Sequence, residues 1–242
     1  MSALREVADT LWPAPGDRHG PLVPMMIVLT FVTGVVDAAS YLTLGHVFVA
    51  NMTGNVVFLG FALAGARGLS AATSLVALAS FLAGALAGGR LVTRTPEHRG
   101  HLLRAASMVQ ASLLAVGLVI ALTSSEPPHT GARYALVVSM ALAMGVQNAA
   151  AQRLAVPELT TTVLTRTLTG LASEAGLVGG PGSRLGRRAV AVVAMLLGAL
   201  TGGLLVLHVT IAAALALAGA LVLAVALTVH VLARPGAVWI AP

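Results

Sequence analysis

The chain has 242 residues, of which 57% are apolar and 9% charged, and its mean hydropathy is +0.94. Soluble domains carry about 25% charged residues, so a soluble globular fold is excluded. Cysteine is absent, which removes disulfide and thiolate chemistry. All 14 cations are arginine, against 8 acids, and two Trp, two Tyr and five Phe are too few aromatics for a stacking nucleic-acid face.

Residues 1–23 are polar and Pro-rich, lack a small-residue cleavage site, and read as a short cytoplasmic tail. Apolar segments follow at about 24–44, 49–65, 70–92, 102–123, 133–152, 159–178, 188–207 and 209–232. A spanning helix needs about 20 predominantly apolar residues. Six segments meet that length; the second and the sixth are short or polar, and the sixth carries Arg166 and Glu174. Residues 24–232 are expected to form one transmembrane domain, with a C-terminal tail over 233–242.

The two halves resemble each other. Gly34-Val-Val-Asp37-Ala-Ala matches Gly145-Val-Gln-Asn148-Ala-Ala at an offset of 111, and Thr53 falls opposite Thr165 at 112. The block from Phe81 to Arg90 matches Met195 to Leu204 at 114. Three ordered blocks at nearly one offset predict a repeat, about 24–123 and 133–232. If all eight segments crossed with the N-terminus inside, Arg90, Arg94, Arg99, Arg104 and Arg153 would lie outside. If the second and sixth do not cross, only Arg67 and Arg133 remain there, and the positive-inside rule prefers this arrangement. Each repeat then has three crossings, which makes the halves inverted. The expected fold is all-α: a polytopic transmembrane bundle of about six spanning helices plus two short polar re-entrant or interfacial helices.

Asp37 is the one acid inside a long apolar segment. A carboxylate at membrane depth is costly and faces the bundle interior, as a proton or cation site or as a structural hydrogen bond. Asn51, Thr53, Gly54 and Asn55 open the second segment; Asn or Thr there caps a helix, and glycine admits close approach to its backbone. Thr162, Thr165 and Thr169 share one helical face, although threonine hydroxyls also bond back to their own helix. Arg166 beside them must reach water, a headgroup, an acid such as Asp37, or an anionic solute. Gly84-xxx-Gly88-Gly89 and Gly198-xxx-Gly202-Gly203 predict close helix packing. No nucleotide-binding, metalloprotease or hydrolase motif is present, so no catalytic residue, metal or cofactor is assigned and an enzyme is not expected.

The blocks Thr33-Gly-Val-Val-Asp37-Ala, His46-Val-Phe-Val-Ala-Asn-Met-Thr-Gly-Asn55, Met144-Gly-Val-Gln-Asn148-Ala and Val156-Pro-Glu-Leu-Thr-Thr-Thr-Val-Leu-Thr165 resemble the signature of the YoaK-like bacterial membrane proteins. That is a domain-of-unknown-function family. The resemblance covers about residues 24–232 and implies a multi-pass protein of about six helices in the bacterial cytoplasmic (inner) membrane. The sequence reading favours a secondary transporter or channel-like permease for a small polar or ionic solute. Asp37, Asn51, Thr53, Asn55, Gln147, Asn148, Thr162 and Thr165 would line its site between the repeats. The alternative is a membrane scaffold or assembly factor. The expected partners are the lipid bilayer and a small solute or ion, with a homo-oligomer left open and nucleic acid excluded.

Overall fold

A computed structural model of the chain describes residues 3–14, 16–94, 98–125, 127–157, 164–173, 185–233 and 237–240. Among them are nine α-helices and no strand. Six are long and apolar enough to cross a membrane: α2 (Leu22–Thr43), α4 (Ala71–Arg94), α5 (Arg99–Thr123), α6 (Thr130–Leu154), α8 (Leu185–His208) and α9 (Ile211–Leu232). One is short, α3 (Met52–Leu63), corresponding to the second apolar segment; α7, described over Leu164–Ser173, lies in the sixth. At about 1.5 Å per residue α3 is roughly 18 Å long, well short of a bilayer core of about 30 Å. The tail carries an element the composition reading missed, the amphipathic helix α1 (Ala3–Leu11).

Burial separates centre from perimeter. In α2 and in α6, 72% of the most apolar window is buried, against 17% in α4 and 22% in α8. The two central helices are those that carry Asp37 and Gln147-Asn148.

Close approach of backbones holds the perimeter to the centre. Lipid tails are as apolar as leucine, so helices in a membrane associate by van der Waals packing, which small residues permit. Gly198 of α8 lies directly against the Phe31 carbonyl of α2, and Gly34 of α2 against Met195 and Ala199 of α8. Across the other pair, Gly84 of α4 lies against the Leu142 carbonyl of α6, and Gly145 of α6 against Phe81 and Ala85 of α4. Gly202 meets Val35 just as Gly88 meets Val146. These are the residues matched in the sequence at offsets of 111 and 114, and each contact recurs with its roles exchanged between the halves. The order of contacts makes α2 parallel to α8 and α4 parallel to α6. Gly117 near Leu215 and Gly219 near Leu114 make α5 antiparallel to α9.

Arg94, Arg99, Arg153, Arg187 and Arg188 gather at one end of the bundle, here termed the basic end. There Arg99, buried at the start of α5, donates to the carbonyls of Arg18 (3.1 Å) and Leu154 (2.6 Å) and lies 3.1 Å from His19 Nδ1. One guanidinium thus ties the tail to α5 and to the last carbonyl of α6. Burial, then the Arg99 charge, hold the His19 imidazole below its ordinary value of 6.5. Because the folded state disfavours the imidazolium, the tie is intact above about pH 6.5 and weakens as pH falls through the lowered value. Trp239, which packs over Gly20, reports this contact. In a Trp12→Phe background its fluorescence is expected to shift red between pH 7 and pH 5, and to stay constant when His19→Gln is added. An unchanged spectrum in the parent would refute the pH-sensitive tie.

Candidate functional site

The chain turns back after α2 with two left-handed residues in succession, Gly45 (φ 93°) and His46 (φ 55°). Residues 47–51 then return along α2 to the depth of Asp37, about 9 Å inside the helix end at about 1.5 Å per residue. There the Val49 and Ala50 amides donate to Asp37 Oδ1 at 2.9 and 2.8 Å. From that depth α3 climbs back beside the last turns of α2, where Tyr41 stacks against Phe48 and lies 6.0 Å from Phe58. This is a re-entrant element, and Asp37 is the post to which its turning point is tied.

Asn55 locks the same turn. Its carboxamide accepts from the Phe48 amide (2.9 Å) and donates to the Phe48 carbonyl (2.7 Å), with Met52 Sδ also within 3.5 Å. Asn55 is wholly buried and is therefore used up by the backbone rather than presented to a solute. The Gly54 position is set by the ring of Phe48, which would lie 2.7 Å from a Cβ placed there. The expected side-chain cap at the start of α3 is not formed: Asn51 makes no capping hydrogen bond.

Between α2, α3, α4, α6 and α7 lies a cavity of about 1110 Å³. Its deep end is formed by Asp37, Ala50, Asn51, Met52, Thr53 and Gly54; Phe58, Phe81, Ala85 and Gly89 form walls, and Asn148 faces it from α6. Toward the basic end it is lined by Val92, Gln152, Arg153 and Thr165. Asp37 is 4% exposed, and its Oδ2 has no hydrogen-bond partner among the described residues. A buried oxygen of that kind costs about 1–3 kcal/mol or more if nothing satisfies it.

Of the eight residues singled out in the sequence, the fold brings Asp37, Asn51, Thr53, Asn148 and Thr165 to this cavity. Asn148 also donates to the Met144 carbonyl at 2.9 Å. Gln147 turns instead into the helix core, where it accepts from Gln110 Nε2 (2.6 Å) and donates to Thr33 Oγ1 (3.0 Å). Thr33 in turn donates to the Leu29 carbonyl at 2.9 Å. Thr162 and the side chain of Arg166 lie outside the described residues. Sequence reasoning missed Gln152, Arg153 and the two phenylalanines. Arg153 reads as an ordinary basic helix end, and a phenylalanine within an apolar segment carries no distinguishing mark.

The family described as "Protein of unknown function (DUF1275)" matches residues 25–228, which is most of the chain. The chain belongs to this family. It is similar to the UPF0700 transmembrane protein YoaK of Bacillus subtilis (strain 168), with 32% identity over 151 residues, 62% of this chain. The match spans 65% of that relative's length, just under two thirds. No solved structure matches significantly. With a transmembrane relative and six helices of spanning length, the family member described here is a multi-pass membrane protein.

Proposed function

We propose that the chain is a secondary transporter or channel-like permease for a small polar or ionic solute, built from two inverted repeats and residing in the bacterial cytoplasmic membrane. One observation carries the reading: a buried carboxylate oxygen without a partner among the described residues, on a residue that lines a cavity of about 1110 Å³ among helices of spanning length. An acid is not kept at membrane depth for packing alone, because hydrocarbon would serve better there. Asp37 is the protonatable or cation-binding group, and Asn51, Thr53, Asn148 and Thr165 replace part of the solute's hydration. The bilayer is the standing partner, and no reaction is assigned.

The inverted arrangement is supported by the exchanged glycine contacts and by the opposite directions of α2 and α6 that the antiparallel neighbours require. Such repeats place a site near the midplane, between broken or re-entrant segments. The basic end is assigned to the cytoplasm by the positive-inside rule. Single thiols at Ser125→Cys and Ser183→Cys test this in intact cells with a membrane-impermeant maleimide. Labelling of Ser125→Cys alone is expected; equal labelling of both refutes the inversion.

A non-transporting scaffold is the second reading, favoured by Gln147 and Asn55, whose polar groups serve only the protein's own structure. The deciding experiment is solute and proton flux into liposomes containing the purified protein, wild type beside Asp37→Asn. Flux that depends on Asp37 supports the permease. No flux in either, with altered thermal stability or altered co-purifying proteins in the variant, supports the scaffold.

A further inference from the structure

The cavity also selects the charge of what it takes, an inference that rests on the permease reading above. The start of a helix normally offers unpaired amides and a positive dipole end to an anion. Just before α3, whose N-cap is Asn51, the carboxylate of Asp37 already stands in that approach, its Oδ1 taking the Val49 and Ala50 amides. An incoming anion would lie beside a buried carboxylate and be repelled. Asp37 Oδ2 faces the opposite need: it is buried without a hydrogen-bond partner among the described residues, and on the ionised carboxylate a hydrogen-bond donor or a cation completes it.

The remaining walls decide which cation. A desolvated divalent ion requires about six or more oxygen ligands in a tight shell. The cavity is far wider than that, and beside the polar side chains of Asn51, Thr53 and Asn148 it is walled by Phe58, Phe81, Val57 and Ala85, which contribute no oxygen from their side chains. Aromatic rings do attract ammonium groups, whose positive charge is spread over C–H and N–H bonds. The other charged side chain lining the cavity, among the described residues, is Arg153. It is exposed near the end of α6, beyond Asn148 toward the basic end, where water and salt screen it over about 8–10 Å. We infer that the cavity binds a small organic ammonium ion, with its charge on Asp37 Oδ2 and its carbon skeleton against Phe58 and Phe81.

The test is binding to the purified full chain in detergent, read by calorimetry and by thermal stability. The probes are ethylammonium and tetramethylammonium chloride, with sodium chloride and sodium acetate at matched ionic strength. Saturable binding of the ammonium salts is expected, weakened at least about tenfold by Asp37→Asn and about three- to tenfold by Phe81→Leu. Phe81→Leu stays apolar, removes the ring and leaves the carboxylate untouched, so it decides the matter if Asp37→Asn does not fold. Equal responses to sodium and ammonium, a response to acetate alone, or ammonium binding indifferent to both substitutions would overturn the inference. The two readings fail separately. Asp37-dependent ammonium binding without any liposome flux would sink the permease and leave the site. Solute flux uncompeted by ethylammonium would sink the ammonium site and leave the permease.

Discussion

Gly198→Ala is expected to unseat α8 from α2 and to destabilise the folded protein by about 3 kcal/mol, the upper part of the usual range for overpacking. The added methyl would meet the Phe31 carbonyl and the backbone around it. A backbone carbonyl inside a helix cannot rotate aside as a flexible side chain would, so the two helices must separate along their contact. Gly84→Ala is expected to do the same between α4 and α6, because its methyl would meet the Leu142 carbonyl. Gly89→Ala and Gly60→Ala serve as controls, since no described residue lies within 4 Å of a Cβ at either position. Alanine is the better helix former by about 0.5–1 kcal/mol, so the controls should be neutral or slightly stabilised. Thermal unfolding in detergent, followed by size-exclusion profile, separates the pairs. Equal melting of Gly198→Ala and Gly89→Ala would show that the close contact is unnecessary.

Asp37 carries the second large effect, and the choice of substitution separates its two roles. Asp37→Ala removes the acceptor of the Val49 and Ala50 amides, and both of those residues are buried. Each orphaned amide costs about 1–3 kcal/mol, so the turn before α3 is expected to come loose from α2. Asp37→Asn keeps a carbonyl oxygen for the two amides and removes the charge. It is expected to fold, to melt close to wild type, and to lose flux by more than about tenfold. An Asp37→Ala protein as stable as wild type would sink the structural role of Oδ1. An Asp37→Asn protein with full flux would sink the functional role of Oδ2.

The long helices were legible because hydrocarbon demands about 20 apolar residues in a row, and that demand is written locally. The shortness of α3 was legible for the same reason. The glycine motifs announced a contact, and the matching offsets hinted at which helices share a pattern, but the identity of each partner depends on tertiary packing. The sequence pattern also could not separate Gly88 from Gly89: Gly88 meets Val146 and Ala149, while Gly89 meets no described residue within 4 Å.

The site was legible as a set of polar residues and not as a geometry. Asn51, Thr53 and Asn55 look alike in the sequence, yet the turn aims Asn55 at the Phe48 backbone and leaves Asn51 and Thr53 on the cavity. Gln147 and Asn148 are neighbours on one helix and so diverge by about 100°, one into the Gln110–Thr33 network and one to the cavity. Gln110, a single amide in an apolar segment, passed unnoticed until its partner came into view. Arg99 read as one more basic residue at a helix end, although its guanidinium gathers three stretches of chain. Helix α1 escaped because its apolar positions recur at helical spacing along one face of an otherwise polar segment, which an average over composition erases.

The exchanged glycine contacts carry a consequence for biogenesis. The notch at Gly34 is filled by Met195 and Ala199, which the ribosome makes only after most of the chain has already entered the membrane. Until then α2 must wait in lipid with its buried acid and its glycine seam uncovered. Contacts so distant along the chain are slow to form, because the closure of the intervening loop comes before any reward. Assembly of the central helices is therefore a late event, completed after synthesis of α8, and a chain truncated before that helix would leave α2 exposed to membrane quality control.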